Sequence, residues 1–208
     1  MNYYDVNILD YIDPAIALSP MFPEWLIYVE DILLSREFQK RKYFLHHYNL
    51  SVWDHSILVS FTSFKVAKYF GFNARIAAIA GLLHDFYPNA WLYSDDLAKI
   101  DDGKYVRDLS IKKPLFKKHG FTHGYEASQN VIKYFPEYAN KRILNSIRYH
   151  MFPLVLIPPR YREGVVITMV DKLNSVRELP SVSIVFNKAS SKVMGIFCKK
   201  SWFYCKVF

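Results

Sequence analysis

Apolar residues recur at helical spacing along most of the chain. In "PEWLIYVEDILLS", Leu26, Val29, Ile32 and Leu33 mark one face of a helix, and Pro23 suits its first turn. The longer run "SVWDHSILVSFTSFKVAKYFG" predicts a second helix. Ser51 is placed to cap it, Asp54 completes an S-x-x-D box, and Gly71 is placed to end it. "NARIAAIAGLLHDF" follows after a short turn, with Asn73 as its cap. It is apolar nearly all round, the pattern of a central helix. "GYEASQNVIKYF" and "ANKRILNSIRYH" predict two further helices split by Pro136, and "REGVVITMVDKLNSVREL" a last one.

Between these runs the pattern breaks. "YPNAWLYSDDLAKIDDGKYV" reads as a loop with a short helix. "FPLVLIPPRY" carries three prolines and must be irregular, and after Pro180 the periodicity fades. No repeat and no strand-rich region is found, so the expected class is all-α: a compact bundle of five or more helices. The expected division is an N-terminal helical extension over 1–44, a helical core over 45–180 and a C-terminal tail over 181–208.

Composition narrows the picture. The chain has 208 residues, 51% hydrophobic and 17% aromatic, ample for a substantial core. No apolar run reaches the roughly 18 residues needed to span a bilayer. The start "MNYYDVNILDYIDP" carries acids where a secretion signal has bases, so a cytoplasmic protein is expected. Cys198 and Cys205 form no disulfide framework and no C-x-x-C pair. The net charge of +8 points to an anionic partner. The basic clusters are scattered, however, and no helix-turn-helix, RNP or zinc-finger spacing accompanies them, which argues against a nucleic-acid reader.

The candidate chemistry lies in polar residues on these apolar helices. His55 falls in the first turn of the 51–71 run. His84 and Asp85 end the central helix, His123 stands at a helix start and His150 at a helix end. Asp171 sits inside "VVITMVDKL", where an ionised carboxylate needs a partner. A metal ion would serve all six. Imidazole with carboxylate suits Fe, Mn, Co, Ni or Zn, and all-oxygen ligation would suit Mg. Adjacent residues on a regular helix point about 100° apart. His84 and Asp85 therefore converge on one ion only where the helix is ending, as the turn at Pro88 allows. One ion held by three or four of these groups keeps open positions and lowers the pKa of a water. A second, at His123 and His150 with Asp85 shared, would help clamp a phosphoryl group.

Here the residues carry a resemblance. "DHSILVS", "AGLLHDF", "FTHGYEAS", "RYHMFP" and "TMVDKLNS", in this order, resemble the HD superfamily of metal-dependent phosphohydrolases over about Leu45 to Glu178. The pattern H…HD…D falls on His55, His84-Asp85 and Asp171, with separations of 29 and 86 residues. His123 and His150 resemble the extra histidines of the dinuclear branch, which includes dinucleoside tetraphosphate hydrolases and HD-GYP proteins. The GYP motif is absent, so cyclic di-GMP hydrolysis is not inferred. The resemblance implies an HD-domain helical bundle, one or two divalent ions, and hydrolysis of a nucleotide or another small phosphate ester.

Other residues are weaker candidates. Lys172 follows the last Asp and could reach a substrate phosphate, as a catalytic group beside His84 and Asp85. Arg160 and Arg162 in "PPRYRE" could bind phosphate bidentately. His119 could replace His123 as a ligand if its segment is helical. His46 and His47 read as surface or capping residues, and Tyr87 and Trp91 as packing residues that could stack a base. Two other function classes stay open at this point. One is a non-catalytic metal-binding module; the other is a basic nucleic-acid binder, for which only net charge speaks. Oligomeric state is left open.

Overall fold

A computed structural model describes residues 11–44, 50–87, 98–101, 104–107, 114 and 119–177. The fold is all-α. The helices are α1 (Pro14–Ala17), α2 (Phe22–Leu34), α3 (Arg36–Gln39), α4 (Val52–Tyr69), α5 (Ala74–Leu83), α6 (His119–Tyr134), α7 (Lys141–Arg148) and α8 (Arg162–Arg177). Short 3-10 turns cover Lys40–Tyr43 and Pro136–Tyr138.

The expected caps are present. Ser51 Oγ accepts from the Asp54 amide and the Asp54 carboxylate reaches back to the Ser51 amide, the reciprocal pair expected from S-x-x-D. Asn73 caps α5 by accepting from Ile76 N, and Gly71 takes φ +68° between the two helices. α5 is the hub. Ala77 to Leu83 are all buried, and α2, α4, α7 and α8 pack around them. α4 and α5 cross closely at Gly81, where a Cβ would lie 3.0 Å from Ser60 Cα. Ser60 Oγ accepts from Trp25 Nε1 at 2.9 Å and donates to Ala78 O at 2.7 Å, tying α2, α4 and α5 together.

Two expectations are corrected. The stretch read as a loop with a short helix contains an antiparallel hairpin, β1 (Ala98–Asp101) with β2 (Lys104–Arg107), pairing Ala98 with Arg107. Only Asp102 and Gly103 separate the strands, and Asp-Gly between alternating residues is a strong hairpin signal that the helical count overlooked. α6 begins at His119, five residues earlier than read, because Gly120 and Gly124 weaken the local propensity while packing overrides it. The basic run "SREFQKRKYF" forms α3, capped by Ser35, and the following 3-10 turn. Its Phe38 and Arg41 are buried.

Residues 11–44, read as an extension, share one core with the rest: Ile12, Ile16, Trp25, Val29, Ile32, Leu33 and Phe38 join the same apolar cluster as α4, α5, α7 and α8. The tail 181–208 and its cysteines lie outside the described residues. No helix among the described residues is long and apolar enough to cross a membrane.

Candidate metal centre

Five elements deliver the six ligand-type side chains to one place. α4 carries His55 and α8 carries Asp171. α5 ends at Leu83, so His84 and Asp85 occupy the turn beyond it and are freed from helical divergence. His123 lies one turn into α6, and His150 follows α7. All six are buried.

They form two halves. In the first, His55 Nε2 lies 3.1 Å from Asp171 Oδ1 and His84 Nε2 lies 3.6 Å from the same oxygen. In the second, His123 Nε2 lies 3.0 Å from His150 Nε2 and 3.4 Å from Asp85 Oδ1, and His150 Nε2 lies 3.7 Å from that oxygen. Asp85 joins the halves: Oδ1 faces His123 and His150, while Oδ2 lies 3.5 Å from His84 Nε2. Two ligands bound to one ion at about 2.0–2.2 Å sit about 2.8–3.6 Å apart, depending on the angle between them. The cluster matches that spacing, and the groups His55–His84–Asp171 and His84–Asp85–His150 could each hold an ion.

The ring orientations point the same way. His84 Nδ1 meets Gly81 O at 2.8 Å, His123 Nδ1 meets His119 O at 2.9 Å, and His150 Nδ1 meets Ile147 O at 2.7 Å. A carbonyl only accepts, so each Nδ1 carries the hydrogen and each neutral ring turns an Nε2 lone pair into the cluster. This is how metal-binding imidazoles are held by their surroundings. With both rings neutral, the Nε2 lone pairs of His123 and His150 face each other at 3.0 Å, which is repulsive unless a proton or a metal ion is shared between them.

The charges follow from the same packing. Burial, then His123 and His84, push the His150 pKa down to about 3. Burial also opposes a charge on His84, yet Asp85 and Asp171 outweigh it and hold that imidazole above its ordinary value. Asp171 is held well below the usual carboxylate range because hydrogen bonds and charge from His55 and His84 overcome its burial. The two carboxylates raise the proton affinity of His84, so an ion binding there competes with protons for that imidazole. Metal binding is expected to release protons, and affinity is expected to fall as pH drops through the raised His84 pKa. Calorimetric titration in two buffers of different ionisation enthalpy measures that release.

Neighbouring residues set the geometry. Gly124 lets α6 lie against α7, because a Cβ there would sit 2.9 Å from Arg148 O and 3.1 Å from Ile147 O. Both are backbone atoms that cannot swing aside. Gly124→Ala is expected to push α6 away at a cost of about 1–3 kcal/mol. It should weaken metal at the His123–His150 half and spare the His55–His84–Asp171 half. Titrating metal stoichiometry in the variant checks this. The turn after Asp85 is held from two sides: Asn130 Nδ2 donates to Phe86 O at 2.8 Å, and Arg41 Nη2 to Tyr87 O at 2.6 Å. Arg41 is buried over the Phe86 ring, 4.1 Å from its centroid, and burial lowers its pKa to about 10. Arg41 and Asn130 carry no signal in the sequence, since neither belongs to a motif and both act on backbone carbonyls.

The remaining candidates are placed as follows. Lys172 Nζ donates to His150 O at 3.0 Å, so its ammonium braces the end of α7. Burial lowers its pKa. His119 stacks on His123 with centroids 4.7 Å apart, and His123 Nε2 is the atom placed beside Asp85 and His150. Tyr87 is buried edge-on to His119 at 4.6 Å. Arg162 lies over Phe72, nine residues before Asp171 on α8, or about 13 Å along the axis. Arg160 is exposed, with its amide donating to Asn145 Oδ1. The structure does not bring these two arginines to the cluster. His46, His47 and Trp91 lie outside the described residues.

Comparison with protein-family models, with curated proteins and with solved structures finds no match.

Proposed function

We propose that the chain is a metal-dependent phosphohydrolase of the HD superfamily, acting on a nucleotide or another small phosphate ester. One observation carries the reading. The lone pairs of His123 and His150 face each other at 3.0 Å beside Asp85, and Asp85 turns its other oxygen to the half holding His84 and Asp171. Such a set of converging acceptors is what one or two cations need, and the ligand order matches H…HD…D with the two added histidines. Four imidazoles with two carboxylates favour Fe, Mn, Co, Ni or Zn over Mg. An ion bound there would supply a water of lowered pKa and charge stabilisation for phosphoryl oxygens.

The chain's own groups have separable roles in this reading. His55 and Asp171 hold one position, His123 and His150 the other, and Asp85 spans them with His84 beside it. Lys172, Arg41 and Asn130 are positioning residues that fix the backbone on which His150 and Asp85 hang. The net charge of +8 supports an anionic substrate.

The test is metal content of the purified protein by plasma mass spectrometry, followed by a screen of phosphate esters. One or two equivalents of a transition metal with metal-dependent phosphate release supports the reading. Metal without release from any ester would overturn it. One observation favours a second reading, a non-catalytic metal-binding module: His55 and His84 have no solvent exposure at all. In that case chelation would unfold the chain, whereas a catalytic ion can be removed and restored with the fold intact.

A further inference from the structure

A cleft of about 500 Å3 opens between residues 11–16 and the first turns of α4. That volume lies within the ~300–1,000 Å3 range of small-molecule sites. Ile16, Ile57 and Leu58 give it an apolar wall, Asp13 and Asp54 add two carboxylates, and His55 lines it as well. His55 is the residue that meets Asp171 in the ligand cluster, so the cleft adjoins the first half of that cluster.

The cleft is preformed. Trp53 Nε1 donates to Tyr11 O at 3.0 Å, and Lys42 Nζ sits 3.4 Å from the Tyr11 ring centroid, which fixes the outer segment. Ile12 and Ile16 anchor that segment in the core. Asp13 accepts from Ala15 N, and Asp54 from the amide and hydroxyl of Ser51. An ionised carboxylate has about four lone-pair sites, so both lining carboxylates keep acceptor capacity.

Among the described residues, no lysine or arginine lines this space. A phosphoryl group placed in it would meet two lining carboxylates, which is electrostatically unfavourable, while the nearby Lys42 ammonium is seated on the Tyr11 and Trp53 rings. An apolar ring bearing N–H or O–H donors suits it on every wall. We propose that the cleft is a ligand site of its own, taking a ring-containing group with N–H or O–H donors. Tyr11 to Ile16 then determine specificity, and inorganic pyrophosphate or a simple sugar phosphate is a poor ligand. Occupancy of the cleft does not rest on the phosphohydrolase reading.

Equilibrium dialysis with adenosine and with tyramine, two phosphate-free probes carrying a ring and N–H donors, tests this on the full chain. Leu58 is 37% exposed, so Leu58→Trp can fill the cleft without entering the core. Asp13→Asn removes a charge and keeps a capping side chain. The expected result is binding of at least one probe to the wild type. Its affinity should fall at least about tenfold in Leu58→Trp and measurably in Asp13→Asn, with metal content and melting temperature unchanged. No binding of either probe, or equal binding by wild type and Leu58→Trp, overturns the proposal. Hydrolysis of p-nitrophenyl phosphate by the metal-loaded protein is followed alongside. Probe binding lost in Leu58→Trp but no hydrolysis upholds the cleft and counts against the phosphohydrolase; hydrolysis without probe binding does the reverse.

Discussion

Asp85→Ala is expected to remove most bound metal and to lower phosphate release on the order of 10³-fold, beyond the ~10–100-fold typical of outer-shell partners. Its two oxygens face different halves of the cluster, at 3.4 Å from His123 and 3.5 Å from His84, so one deletion weakens both positions. The fold should survive. Asp85 lies in the turn beyond α5 rather than inside a helix, and the turn's backbone is held by Arg41 and Asn130 through carbonyls the substitution leaves in place. Asp85→Asn keeps the volume and one oxygen. It should retain more metal than Asp85→Ala, yet less than the wild type, because the amide nitrogen cannot accept. Circular dichroism, metal analysis and phosphate release on the same preparations separate these effects. Unchanged metal content in both variants would show that the acceptors converge for another reason.

The largest expected loss of stability comes from a residue outside the cluster. Glu163 is 1% exposed at the start of α8. Its Oε1 accepts from Asn73 N at 3.0 Å and from Arg142 Nη2 at 3.0 Å, so one carboxylate joins the cap of α5 to α7 and α8. It also sits where the N-terminal end of a helix favours negative charge. Removing one member of a buried ion pair costs about 3–5 kcal/mol when the other is left buried. Arg142 is 45% exposed and can turn to water, which places Glu163→Ala nearer about 3 kcal/mol. At roughly 2–4 °C per kcal/mol for a chain of this size, the melting temperature should fall by about 6–12 °C. Glu163→Gln keeps an acceptor for Asn73 and should cost less. Thermal melts of both variants read this directly, and a fall under about 2 °C for Glu163→Ala would mean the pair contributes little.

How much of this was legible beforehand depends on how local each signal is. The helices of α2, α4, α5, α7 and α8 followed from periodicity, and the caps at Ser51, Asn73 and Gly71 from residue chemistry at the helix ends, since both act over a few residues. The six ligand-type residues could also be named in advance, because a titratable side chain on an apolar helix is anomalous wherever it lies. The hairpin at 98–107 and the early start of α6 were misread, the first for a turn signal overlooked, the second because packing against α7 makes glycines favourable in that helix. What only the tertiary structure decided is which groups meet. His55 and Asp171 are 116 residues apart and touch, while Arg162, nine residues from Asp171, does not reach the cluster. Lys172 proved to hold the His150 carbonyl, and Arg41 to be buried under the turn after Asp85. A side chain's type is set by its own codon, but its partner is set by how helices distant in sequence are pressed together by burial of their apolar faces.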